Sequence, residues 1–214
     1  MKVVALITFS AILLAQKPPG APGWTLTFAD EFSGGELDLT KWSPHKPLNG
    51  GEALAKYTVS GGQLHLTRGA ISTFGLFSQR AGRFEIQCRV SGGSGTTSGV
   101  HLLPLPLGPL PAIDIFEVEG DAPKKISLAN HWGTEQTERS YGDAFDVPDL
   151  SSGLHTIAME WDREKIVWFV DGKEEFRSSE GVPWQPMFLT IEIRGGTGTA
   201  SSFDVDSVRV YRRP

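Results

Sequence analysis

Three carboxylates stand inside an otherwise apolar run within the segment L-P-A-I-D-I-F-E-V-E-G-D, residues 110–121, which ends on a fourth acid, Asp121. They are Asp114, Glu117 and Glu119, and their neighbours are apolar at both odd and even positions. This pattern predicts a β-strand that is covered on both faces. A carboxylate in such a strand is costly unless it is paired or takes part in chemistry. The segment is therefore a candidate site, and the alternative is a solvent-exposed strand face with ordinary surface acids.

The spacing of this segment suggests which chemistry. In a regular strand, residues 112 and 114 share one face and residue 117 points to the other. A one-residue bulge near 115–116 would return Glu117 to the face of Ala112 and Asp114. Carboxylates at 112 and 117 would then flank a bond from opposite sides, as in glycoside hydrolysis. Position 112 is an alanine, so only half of that pair is present.

The rest of the chain indicates an all-β protein that would hold this segment in a sheet. Short alternating segments are separated by Gly, Pro, Asp and Ser, and the clearest are residues 155–161, 165–176, 187–193 and 203–211. Asp171-Gly172 is a strong two-residue hairpin turn. Evenly spaced strands of this kind predict a sandwich or jelly roll. Cys88 lies on the apolar side of its alternating segment, which predicts a buried, unreactive thiol.

The first residues predict export. Met1 and Lys2 give a positively charged start, and 13 apolar residues follow from Val3 to Ala15. This block fits a secretory signal peptide at residues 1–15 and is short for a membrane span. A linker at 16–23 and one domain at 24–214 follow, so we expect a secreted or periplasmic protein without stable membrane insertion after cleavage. The alternative is a membrane anchor that stays attached.

Composition narrows the class of partner. The formal net charge is −5, and 39% of the 214 residues are hydrophobic. That apolar content supports a folded core rather than a disordered chain. Because the chain has no basic stripe and no nucleic-acid-binding motif, we expect no nucleic-acid partner.

Six strings, in this order, resemble glycoside hydrolase family 16, the laminarinase and endo-β-glucanase group. They are FADEFSGGELDLTKW (28–42), AGRFEIQCRV (81–90), HLLP (101–104), NHWG (130–133), LHTIAMEWDREKIVWFVDG (154–172) and FDVDSVRVY (203–211). The resemblance implies a concanavalin-like jelly-roll sandwich of two antiparallel sheets with a concave cleft. It also implies a β-linked polysaccharide or oligosaccharide, such as a β-glucan, as the partner.

The resemblance assigns roles within the candidate strand. The family signature is E-x-D-x-x-E, and this chain reads A-I-D-I-F-E. Asp114 matches the central Asp, Glu117 matches the general acid/base, and Ala112 occupies the position of the nucleophilic Glu. A methyl group cannot attack an anomeric carbon, so we expect impaired retaining hydrolysis. Glu119, which we expect on the opposite side of the strand, is a poor substitute.

Further residues are implied in sugar and metal binding. His131 and Trp132 match a cleft turn in which Trp stacks on a sugar, and the alternative for Trp132 is a place in the core. Three positions where the family has cleft aromatics are occupied instead by Ala81, Thr97 and His101. A structural calcium ion is implied at Glu31 and Asp206, whose carboxylate oxygens suit Ca²⁺. The alternative is a pair of ordinary surface acids.

Three functions stay open at this point. The first is a secreted protein that recognises a β-linked polysaccharide and lacks normal retaining hydrolysis. The second is an active hydrolase or transglycosylase that uses another nucleophile or water. The third is a non-catalytic interaction module, which the altered aromatic positions favour.

Overall fold

A computed structural model describes residues 23–45, 54–91, 93–195 and 201–213. In these ranges the chain forms thirteen β-strands and no helix. The predicted leader at 1–15 and all but the last residue of the predicted linker at 16–23 lie outside them. No helix in the described ranges is long and apolar enough to cross a membrane.

The strands follow one another along the chain, and the longest connection is the one between the first and the second strand. They are β1 (Thr25–Asp30), β2 (Lys56–Ser60), β3 (Gln63–Ser72), β4 (Gly82–Ser91), β5 (Thr96–Pro104), β6 (Ala112–Glu119), β7 (Lys125–Trp132), β8 (Arg139–Asp146), β9 (His155–Trp161), β10 (Ile166–Val170), β11 (Lys173–Ser178), β12 (Met187–Gly195) and β13 (Ser202–Arg212). The predicted turn at Asp171-Gly172 joins β10 to β11, where both turn residues have positive φ. This geometry is the one that a two-residue hairpin loop requires.

The strands form two antiparallel layers that share one strand. Sheet A has the order β11-β10-β9-β4-β13-β3, with β1 on β13 and β2 on β3. Sheet B has the order β3-β12-β5-β6-β7-β8. Leu64 and Leu66 of β3 pair with β13, whereas Gly69 to Ser72 pair with β12, so the chain passes from one layer to the other within β3. The prediction of an all-β fold with two antiparallel sheets is confirmed.

The core lies between the two layers and is rich in aromatic rings. The largest fully buried rings are Trp42, Trp161, Trp168, Phe84, Phe116, Phe188 and Phe203. Phe116 of sheet B meets Phe203 of sheet A edge-to-face, with ring centres 5.8 Å apart. This is a favourable aromatic geometry and it ties the candidate strand β6 to the opposite sheet. Cys88 is also buried here, and burial raises the pKa of its thiol, which keeps it protonated and unreactive.

Candidate functional site

A β-bulge in the middle of β6 sets the direction of the candidate side chains. Val100 of β5 pairs with Phe116, but the next residue, His101, pairs with Asp114. The register with β7 shifts at the same place, between Asp114 and Glu117. Ile115 is thus the extra residue of the bulge. The predicted bulge is present, and it returns Glu117 to the face that carries Asp114 and Ala112.

That face of sheet B forms a cleft of about 480 Å³. Ala112, Asp114, Glu117 and His131 all line it. The other lining residues come from β5, β12 and the adjoining loops: His101, Leu103, Pro109, Leu110, Glu135, Glu138, Thr190, Glu192 and Arg194. The cleft therefore combines a few apolar side chains with many hydrogen-bonding groups, a combination that suits a polar ligand with apolar patches.

A carboxylate held between two imidazoles lies at the floor of the cleft. Asp114 Oδ1 is 2.9 Å from Nδ1 of His101, and Asp114 Oδ2 is 2.9 Å from Nε2 of His131. The other ring nitrogen of His131 is 3.1 Å from Oε1 of Glu138. On the core side, the indole N–H of Trp168 donates to the backbone carbonyl of Asp114 over 3.0 Å. Both the side chain and the backbone of Asp114 are therefore fixed.

The charges of this network follow from its hydrogen bonds. Burial alone would raise the pKa of Asp114, but the hydrogen bonds from His101 and His131 outweigh it and hold the pKa well below the ordinary value. The hydrogen bond to Asp114 raises the pKa of His131, burial opposes this, and Glu138 adds to the rise. Since Ala112 is the cross-strand partner of His131, the imidazole with the raised pKa lies next to the alanine.

The free energy of unfolding should depend on pH through the ion pair between Asp114 and His131. Because the pKa of His131 is raised on folding, protonated His131 stabilises the fold fully below pH 6.5, its ordinary pKa, and this stabilisation is lost as pH rises through the folded-state pKa. Because the pKa of Asp114 is lowered on folding, ionised Asp114 stabilises the fold fully above pH 3.8, its ordinary pKa, and this stabilisation is lost as pH falls through the folded-state pKa. We expect the unfolding free energy lost in His131→Gln to be largest between these two values and to shrink at alkaline pH. Urea unfolding at a series of pH values measures it, and a pH-independent difference would contradict the ion pair.

Glu117 is held by a different cation. Its Oε1 accepts a hydrogen bond from Nη2 of Arg194 on β12, and Nε2 of His101 lies 3.7 Å from the same oxygen. An ion pair with a guanidinium is a strong, oriented contact. Proton donation from Glu117 to a leaving oxygen would therefore require this pair to break first.

Four residues that the sequence analysis considered for the cleft do not line it: Trp132, Ala81, Thr97 and Glu119. The ring of Trp132 packs against Gly181, and a Cβ at Gly181 would collide with it, which places Trp132 against a loop instead of a ligand. Ala81 lines a different cavity, on sheet A, so its expected place in the cleft is corrected. The hydroxyl of Thr97 donates to Glu119 over 3.1 Å. Glu119 faces the same side as Glu117, contrary to our expectation, because Thr97 and Gly99 pair with these two residues on one face of β5.

Some residues of the cleft could not be identified in the sequence. The resemblance marks His101 only as a position that lacks the family's aromatic side chain, yet His101 is a direct partner of Asp114. Arg194 and Glu138 belong to no recognisable sequence motif. The partner of Arg194 is Glu117, 77 positions away, and the partner of Glu138 is His131, on the neighbouring strand β7. The only available signal was the alternation of β12, which places Thr190, Glu192 and Arg194 on one face.

The residues implied in calcium binding do not fit a metal site as they are arranged. Both carboxylate oxygens of Glu31 accept hydrogen bonds from the guanidinium of Arg209, which is itself buried. Asp206 accepts a hydrogen bond from Gln63 over 3.2 Å. Among the described residues, no group of three or more His, Cys, Asp or Glu side chains surrounds a metal position. A calcium ion would have to displace Arg209 from Glu31, so calcium is implied by the resemblance alone and the present arrangement of these residues argues against it.

Thermal melting decides the calcium question. Because Arg209 already neutralises Glu31, we expect the same Tm in millimolar calcium and in chelator. A ligand that binds only the folded state stabilises it by about 2.7 kcal/mol at a hundredfold excess over Kd, which melting would detect. A calcium-dependent rise in Tm that disappears in Asp206→Asn would contradict this expectation and support the calcium site.

Comparison with known proteins finds similarity to glycan-degrading enzymes. It is 24% identical over 155 residues to endo-1,3-1,4-beta-glycanase ExsH of Rhizobium meliloti, which covers 68% of this chain and 33% of ExsH. The chain therefore spans about a third of the length of ExsH. A beta-glucanase of Rhodothermus marinus is 27% identical over 98% of this chain and 93% of its own length.

Solved structures and the family match agree with these relatives. The catalytic domain of a laminarinase from Thermotoga petrophila superposes with a TM-score of 0.74 at 22% identity, covering 89% of this chain and 98% of that domain. At this identity the likeness shows a shared fold, and the predicted jelly roll is confirmed. Residues 46–208 match the family described as glycosyl hydrolases family 16. Since the match covers more than half of the chain, this protein belongs to family 16 of the glycosyl hydrolases.

Proposed function

We propose that the chain is an exported protein that binds a β-linked glycan, of the β-glucan type, in the cleft of sheet B and lacks normal retaining hydrolysis. The family membership and the β-glucanase relatives support the ligand class. Export rests on the apolar block at residues 3–15 and is open to N-terminal sequencing of the mature protein.

The methyl side chain of Ala112 is the observation that carries the loss of hydrolysis. The bulge directs position 112 and Glu117 into one cleft, where a retaining enzyme needs two carboxylates about 5–5.5 Å apart. With alanine at 112, no atom of that residue can form a bond to the anomeric carbon. Loss of a nucleophile typically lowers turnover by several orders of magnitude.

The remaining cleft residues suit binding. The guanidinium of Arg194 offers a charged donor to sugar hydroxyls, and such hydrogen bonds are stronger than neutral ones. Both ring nitrogens of His131 already bond to Asp114 and Glu138, so His131 contributes by holding these two carboxylates in place. Leu103, Pro109 and Leu110 offer apolar contact to the C–H faces of a pyranose ring. In this proposal Asp114 is a positioning residue, since both of its oxygens orient histidines.

One observation favours a second candidate function. Three more carboxylates line the same cleft, on Glu135, Glu138 and Glu192. If one of them faced the anomeric carbon of a bound sugar, the chain would hydrolyse glycans with a non-standard nucleophile or base. One of the three variants Glu135→Gln, Glu138→Gln and Glu192→Gln would then abolish the sugar release that the unmodified chain shows. The first proposal expects the unmodified chain to release no sugar above background.

Calorimetric titration with a β-1,3-linked glucopentaose and a mixed-linkage glucotetraose tests the binding. We expect His131→Ala to weaken binding about tenfold, which corresponds to about 1.4 kcal/mol. His155→Ala is the matched control, because His155 also bonds to an aspartate, Asp171, over 2.7 Å, but lies outside the cleft lining. Equal affinity for all three proteins would overturn binding in the cleft around His131. No binding to either sugar would overturn the proposal in favour of an interaction module that does not use sugar.

A further inference from the structure

A second cavity of about 320 Å³ lies on the outer face of sheet A, away from the cleft. Val167 and Phe169 form part of its floor. They alternate along β10 with Trp168, which points into the core, so the cavity is on the opposite side of the sheet. Trp24 of the segment before β1 contributes an aromatic wall. The cavity has the size of a small-ligand pocket.

Most charged groups around this cavity are cations, although the whole chain has a net charge of −5. The cationic side chains that line it are Arg80, Lys165, Arg177, Arg212 and Arg213. Its three carboxylates already have partners within the sheet. Glu174 binds Arg177 over 2.6 Å, Glu160 binds Arg83 over 3.0 Å, and Asp162 accepts backbone N–H groups of its own turn.

Two of the arginines have no carboxylate partner among the residues that the structure describes. Neither Arg80 nor Arg212 has a carboxylate oxygen within 4.0 Å anywhere in the part of the chain that the structure describes. Clustered like charges cost free energy unless an anion compensates them. An external anion is therefore the complementary partner of this surface.

Aromatic rings accompany these guanidinium groups. The guanidinium of Arg213 lies 4.8 Å from the ring centre of Trp24. Trp184, which is 41% exposed, lies between Arg80 at 5.6 Å and Arg163 at 5.5 Å. Stacking on a ring restricts an arginine and leaves its N–H groups free to bind. A flat aromatic surface beside guanidinium groups fits a ligand ring that carries an anionic substituent.

We propose that this cavity is a second binding site, for an acidic sugar: a pyranose whose carboxylate pairs with Arg80 and Arg212 and whose ring lies on Trp24. Guanidinium groups recognise a carboxylate through two parallel hydrogen bonds, which supports a uronic acid unit. The site is independent of the cleft, because it uses none of the cleft residues and lies on the other sheet.

Calorimetric titration of the whole chain with a β-1,4-linked mannuronate trisaccharide tests the site. We expect binding that weakens as sodium chloride is raised and that is at least tenfold tighter than for cellotriose, the neutral trisaccharide. The double variant Arg80→Ala/Arg212→Ala should lose at least tenfold in affinity, and Trp24→Leu several-fold. Arg68→Ala removes an exposed arginine elsewhere on the surface and should change nothing. Tm values for each variant confirm that the fold is intact.

Three results would overturn the proposal. Equal affinity for the mannuronate and for cellotriose would exclude recognition of the charge. Full competition by an equal concentration of inorganic sulfate would exclude a role for the sugar ring. An equal loss in Arg68→Ala would show a diffuse charge effect. None of these bears on binding in the cleft, which the neutral β-glucan titration measures separately.

Discussion

Replacing Ala112 with Glu is expected to give the chain glycosidase activity with retention of anomeric configuration. The bulge at Ile115 already directs position 112 and Glu117 into one cleft, so the new carboxylate would face Glu117 across the glycosidic bond. The neighbouring imidazole of His131 would stabilise the added negative charge. We expect turnover of an activated aryl β-glucoside oligomer to rise by roughly a thousandfold or more, in line with the cost of losing a nucleophile. Release of the aryl alcohol and the anomer of the first sugar product are the measurements.

Two variants control this experiment. Ala112→Gln has nearly the same size as Ala112→Glu and cannot act as a nucleophile, so it should stay inactive. Adding Glu117→Gln to Ala112→Glu should remove the gained activity on unactivated glycans, because nothing else would protonate the leaving oxygen. If Ala112→Glu folds and binds glycan but releases no sugar, we would attribute the failure to the ion pair between Glu117 and Arg194, which opposes proton donation. Adding Arg194→Gln to Ala112→Glu tests this explanation.

Replacing Trp168 with Ala is expected to lower the unfolding free energy by about 3–5 kcal/mol. Trp168 is fully buried in sheet A, and its indole N–H donates to the carbonyl of Asp114 in sheet B. The substitution therefore removes core volume and leaves a backbone acceptor of the bulged strand without its partner. Trp168→Phe keeps most of the ring and should cost about 1–2 kcal/mol. Urea unfolding measures both.

A matched variant separates a general loss of packing from an effect on the cleft. Trp161 is equally buried, and its indole N–H donates to the carbonyl of Pro183 over 2.9 Å, away from the cleft. We expect Trp161→Phe to lower stability by a similar amount and to leave affinity for β-glucan oligosaccharides unchanged. Trp168→Phe should weaken that affinity several-fold, because Asp114 orients His131. Equal affinities in the two variants would show that Trp168 acts on stability alone.

The sequence was sufficient for the fold and for the direction of the candidate strand. Alternating segments and Asp171-Gly172 predicted the sheets and one hairpin, and the spacing of Ala112, Asp114 and Glu117 indicated the bulge in β6. These features are local, since strand alternation and turn chemistry depend on residues a few positions apart.

The partners of the site residues could not be predicted, because they depend on strand register. The pairing of His101 with Asp114 requires the bulge offset between β5 and β6. The contact of Arg194 with Glu117 joins residues 77 positions apart. Trp132 and Glu31 were assigned by resemblance alone, and their neighbours in space, Gly181 and Arg209, carry no signal in the sequence near them.

The central claim is that the unmodified chain binds a β-glycan and does not cleave it efficiently, because Ala112 stands where a nucleophile is needed. The most direct test measures binding and release of reducing sugar side by side, on one panel of β-1,3 and mixed-linkage glucans. We expect saturable binding to at least one glucan, with sugar release at or near the background of a Glu117→Gln variant. Efficient release by the unmodified chain, well above that of Glu117→Gln, would contradict the claim.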